Sequence, residues 1–124
     1  MTTENNFERT NRKVVKLYKI WIEGEVIYVD SKIVDEIVFE TQEDKRMILK
    51  ILSYIAYSVK SINANVKKNK VRSFNQELIV ESLIKLIKHY SVEMVKEIFQ
   101  GLKWQDMFYI IYSYDPIRVL DEII

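Results

Sequence analysis

The sequence predicts an α+β fold: a small N-terminal antiparallel sheet, a hairpin extended by a third strand, packed on a C-terminal bundle of about four helices. Three observations carry this expectation. β-branched and aromatic residues crowd 13–22 and 25–29 on either side of Glu23-Gly24, the pattern of two strands joined by a tight turn. Ile48, Leu52, Ile55, Val59, Ile62 and Val66 recur at steps of four and three, which keeps six apolar side chains on one side of a helix. Ser73, Ser91 and Asp115-Pro116 each precede a further apolar stretch, as helix caps do.

Taken in order, residues 1–12 are polar and are expected to be a flexible leader to a single domain over 13–124. In the first strand Val14, Tyr18, Ile20 and Ile22 face one way, and Val15, Leu17 and Trp21 the other. A strand apolar on both sides is usually covered on both, by helices or by a second subunit. Gly24 supplies the positive φ that the turn needs. Residues 31–40 carry two patterns. Ile33, Val34, Ile37 and Val38 fit a helical stripe, whereas 36–40 alternates as a short strand, and the strand is the reading adopted. The long helix is expected to begin at Thr41 as cap with Asp44 in its first turn, and to fray over 63–70.

Ser73 followed by Gln76 forms a capping box for a helix ending at Tyr90, with Ile79, Leu83, Ile84, Leu86 and Ile87 inward and Glu77, Glu81, Lys85 and Lys88 in water. Ser91 caps the next helix, whose inward residues are Val95, Ile98, Phe99 and Leu102. Residues 104–114 are read as a helix despite the strand-like run 109–112. Asp115 and Pro116 open a last short helix that docks through Ile117, Leu120, Ile123 and Ile124.

Composition narrows the function classes. The 124 residues contain no cysteine and one histidine, His89, so neither a thiolate zinc site nor a pair of histidine ligands can form in one chain. With two glycines, Gly24 and Gly101, there is no phosphate-binding glycine loop and no nucleophile elbow. Asp30, Asp35, Glu36, Glu40, Glu43 and Asp44 lack the ligand rhythm of a calcium loop and read as a solvated face. No enzyme activity, cofactor, metal or small-molecule substrate is therefore expected. No stretch approaches the ~20 apolar residues of a membrane span, and the polar start is not a signal peptide, so a cytoplasmic protein is expected.

Two binding readings remain. Residues 47–75 hold six bases and no acid, and Lys60, Lys67, Lys68, Lys70 and Arg72 could neutralise nucleic-acid phosphates. Against this, cations also suit a helix C-terminus with no ligand at all, and few aromatics are interleaved for base stacking. Residues 90–101 have the serine cap and spacing of a DNA-recognition helix, but Glu93 and Glu97 would repel phosphates. The second reading is contact with a protein partner. Aromatics make 12% of the chain, and tyrosine and tryptophan suit interface centres. Tyr54 and Tyr57, with Ile55, Val59 and Ile62 on the long helix, are the expected protein interface, serving a partner or a two-fold homodimer. The preferred expectation is a non-enzymatic interaction protein. Heavy use of Ile, Lys, Asn and Tyr fits an A+T-rich genome, hence a virus- or plasmid-encoded inhibitor or adaptor.

Overall fold

A computed structural model describes residues 16–66 and 76–124, and of 61–66 the backbone only. The elements are β1 (Leu17–Ile22), β2 (Glu25–Asp30), α1 (Ser31–Thr41), α2 (Lys45–Val66), α3 (Gln76–Tyr90), α4 (Val92–Gly101), α5 (Trp104–Ile111) and α6 (Pro116–Ile123). The fold is α+β, as the sequence predicts. The expected flexible leader over 1–12, Ser73 as a cap and the fraying beyond 66 lie outside the described residues.

β1 and β2 pair antiparallel, Tyr18 opposite Val29 and Trp21 opposite Val26. The turn between them puts two residues at positive φ, Glu23 at 52° and Gly24 at 77°. Two left-handed residues match the twist of a two-residue hairpin. Tyr18, Ile20 and Ile22 turn inward with Ile27 and Val29, while Leu17, Lys19, Trp21 and Tyr28 are exposed. The alternation of period two thus sorts the strand into a core face and an open face.

Residues 31–40 are not a third strand, and among the described residues the sheet has two strands only. They form α1 because Asp30 caps it, its carboxylate accepting the Lys32 N–H at 2.9 Å. The helical stripe then prevails: Val34 and Ile37 are fully buried, and Phe39 is left in solvent. Thr41 does not begin the long helix. It ends α1, its hydroxyl donating to the Ile37 carbonyl at 2.7 Å, and Gln42 closes the helix in the left-handed region. Asp44 caps α2 instead, accepting the Arg46 N–H at 2.8 Å. With α1 added, the described residues form six helices, more than the four or so expected.

α2 has 22 residues and measures about 33 Å at ~1.5 Å per residue. It touches β1, β2, α1, α4 and α5, while α3 and α6 pack on that layer, α3 against α1, α4 and α5 and α6 against α3 and α5. Ile48, Ile51, Leu52 and Ile55 are buried along its inner side, which includes the first half of the predicted seam. Ser53 is also buried, its hydroxyl donating to the Leu49 carbonyl at 2.7 Å, so this polar group carries no unmet hydrogen bond.

α3 buries Ile79, Val80, Leu83, Leu86 and Ile87 and exposes Glu77, Glu81, Lys85 and Lys88, the predicted division of its sides. A single residue, Ser91, then turns the chain into α4, accepting the Met94 N–H at 3.3 Å. Val95 and Phe99 of α4 pack inward. α5 is helical, with Met107, Ile110 and Ile111 buried. Asp115 caps α6 through the Arg118 N–H at 3.2 Å with Pro116 at the first position. Leu120 docks the tail in the core, whereas Ile124 remains 72% exposed and does not join it.

Candidate functional site

Lys50, Tyr54 and Tyr57 fall at steps of four and three, which places them on one side of α2. That side is left half open where the hairpin turn and the joint between α4 and α5 approach it. The result is a groove of about 400 Å³, walled by Trp21 and Glu23 from the hairpin, Tyr54 and Tyr57 from α2, and Gln100 and Leu102 from the end of α4. Phe99 and Met107, both in the core, lie at its base. Lys50 and Glu23 are exposed and give its lining one charge of each sign.

Trp21 belongs to a second open surface as well. Strand pairing puts it beside Val26 and on the same face as Leu17, Lys19 and Tyr28. On that face Leu17 is 50%, Trp21 64% and Tyr28 58% exposed. Groove and sheet face therefore meet at one indole ring. Aromatic side chains of this kind bury a large area on contact while tyrosine and tryptophan keep a polar tip for a hydrogen bond.

Comparison with protein-family models, with curated proteins and with solved structures finds no match.

Of the residues assigned to a protein interface from sequence, Tyr54 and Tyr57 line the groove, and Val59 is half-buried against the core. Ile55 is 1% exposed and is a core residue, because the inner side of α2 is fully covered at that level. The Ile62 side chain lies outside the described residues. For the nucleic-acid reading, Lys60 is exposed and its ammonium is ion-paired with Glu25 on β2, which offsets its charge locally. Lys67, Lys68, Lys70 and Arg72 lie outside the described residues. Glu93 and Glu97 do occupy the exposed side of α4.

Sequence reasoning left out Trp21, Glu23, Lys50, Gln100 and Leu102 as partners of the tyrosines. Trp21 had a signal, since a strand apolar on both faces has a second face to cover. Gln100 and Leu102 had none, because they reach the groove through the turn between α4 and α5.

The acidic run from 30 to 44 is accounted for in part. Asp30 and Asp44 cap helices, and Asp35 accepts a hydrogen bond from the Tyr18 hydroxyl at 3.4 Å. Lys45 sits 4.7 Å from the centre of the Tyr18 ring. Its pKa is raised, first by hydrogen bonding with Tyr18 and further by the Tyr18 and Asp35 charges, against a smaller opposing effect of desolvation. These three side chains tie β1, α1 and α2 together. Among the described residues no three His, Cys, Asp or Glu side chains are grouped so as to hold a metal ion. No described helix is long and apolar enough to cross a membrane.

Proposed function

We propose that this chain is a non-enzymatic interaction protein that binds a protein partner through the surface centred on Trp21. One observation carries the reading: an indole that is open to solvent joins an uncovered sheet face to a groove walled by Tyr54 and Tyr57. Exposed aromatic surface of this extent is costly to keep in water and marks places where another molecule sits. Anchors of this type carry most of the energy in protein interfaces. The open sheet face, where Leu17, Trp21 and Tyr28 stand beside Lys19, would equally suit a second copy of the chain. A virus- or plasmid-encoded inhibitor or adaptor remains the biological setting that the composition suggests.

The test compares wild type with a Trp21→Ala/Tyr57→Ala double variant. Partner capture should be lost in the variant while its circular dichroism is unchanged, since both side chains lie at the surface or half open. Equal capture by both proteins would overturn the reading. Light scattering at about 100 µM decides the homodimer, because a pair with a Kd near 1 µM is then mostly assembled. Binding of DNA or RNA that weakens steeply with salt, and is abolished by charge reversal at Lys67, Lys68, Lys70 and Arg72, would favour the nucleic-acid alternative instead.

A further inference from the structure

We infer that a second site, the cleft between α5 and α6, receives a cationic side chain, an arginine or a lysine, from a polypeptide partner. This inference does not depend on the groove beside Trp21. The two share no lining residue, because α5 sends Met107 toward one and Asp106, Tyr109 and Tyr112 toward the other.

The cleft follows from local sequence. Asp106 and Tyr109 are three apart, so they share the side of α5 that faces away from buried Met107, Ile110 and Ile111, and Tyr112 follows as the C-cap of the helix. The chain then turns through Ser113 and Tyr114, whose geometry is held by Asp115 N–H donating to the Ser113 hydroxyl at 3.0 Å. α6 returns with Val119, Glu122 and Ile123 on one side, again at steps of three and four. These residues line an open, shallow cleft of about 470 Å³, within the ~300–1,000 Å³ of clefts that hold ligands.

The lining has one charge sign. Asp106 and Glu122 are its carboxylates, and among the described residues no lysine, arginine or histidine lines it. The nearest base on α6, Arg118, meets Glu122 at 3.7 Å with both side chains mostly exposed, a pair of little worth in water that an incoming cation can replace. The lining also holds Tyr109, Tyr114 and Tyr112, the last packed on Phe108 with ring centres 4.6 Å apart, and aromatic rings attract cations within about 6 Å. Val119 and Ile123 offer apolar surface to the methylene stem that an arginine or lysine carries behind its charge. An anion would meet two carboxylates here. An uncharged apolar side chain would desolvate Asp106 and Glu122 without offering either a charge, which is unfavourable. The match is to a long side chain, apolar along its stem and positive at its tip.

The test is an NMR titration of the full chain with acetyl-Gly-Arg-Gly-amide and, in parallel, with its citrulline counterpart, which keeps the shape but replaces the charged guanidinium by a neutral urea. The arginine peptide should produce saturable shifts at Tyr109, Val119 and Ile123, and the citrulline peptide should bind at least five-fold more weakly. An Asp106→Asn/Glu122→Gln variant should lose that preference, whereas Trp21→Ala should keep it. Because the peptide comparison is made on wild type, it decides the matter even if the variant folds poorly. Equal shifts from the two peptides, shifts centred elsewhere, or no saturable shift at ten times a Kd of about 1 mM would each overturn the inference.

Discussion

Tyr90, at the end of α3, donates its hydroxyl hydrogen to the Asp121 carboxylate of α6. Its pKa is pushed up to about 12, by desolvation first and by the Asp121 carboxylate second. A phenol in the unfolded chain titrates near ~10. The folded state therefore favours the protonated ring, so this contribution to stability is fully present below about pH 10 and is lost as the pH rises through about 12. Ultraviolet titration should find one tyrosine ionising late, and Tyr90→Phe should remove that component. The same variant should cost about 0.5–1.5 kcal/mol at neutral pH, the net worth of one hydrogen bond, measured by urea unfolding. Glu23 makes a second residue-scale prediction. It occupies the left-handed region at φ 52°, where a non-glycine residue is strained and asparagine is tolerated best. Glu23→Asn should raise stability by a few tenths to about 1 kcal/mol, seen as a higher urea midpoint at constant slope.

Among the elements, α1 shows what decides between two legible patterns. Removing its cap with Asp30→Ala should cost about 1 kcal/mol, and thermal unfolding will measure it. The run 36–40 alternates like a strand, yet Ile33, Val34, Ile37 and Val38 have the spacing of a helix, and Asp30 satisfies the first free N–H groups. A strand would have carried Ile37 and Phe39 on the same face. The helix separates them, burying Ile37 and leaving Phe39 in water. The start of α2 was hidden for a related reason. Thr41 and Asp44 are both good caps, and the chain breaks between them at Gln42, a residue that does not announce a left-handed turn as glycine would. By contrast the ends with strong chemistry were legible: Glu23-Gly24 for the hairpin, Ser91 for α4, and Asp115-Pro116 for α6. The candidate site was half legible. Tyr54 and Tyr57 stand out on a helix, but the walls opposite them come from segments some thirty to fifty residues away in either direction along the chain.

For the molecule as a whole, α2 is the support against which β1, β2, α1, α4 and α5 pack. Ile51 is fully buried at the centre of that support, and Ile51→Ala should cost about 2–5 kcal/mol by opening a cavity. Trp21→Ala removes a larger side chain but an open one, and should cost about 1 kcal/mol or less, the worth of its pairing across the strands. Urea unfolding of the two variants checks that contrast, which is what separates a residue kept for folding from one available for contact. The most direct test of the central claim is photocrosslinking in the native host from a reactive residue at position 57, with Lys88 on the exposed side of α3 as the comparison position. The account predicts a discrete protein adduct from position 57 that Trp21→Ala abolishes and that position 88 does not give. Equal adducts from both positions, or an adduct at 57 that persists in Trp21→Ala, would contradict it.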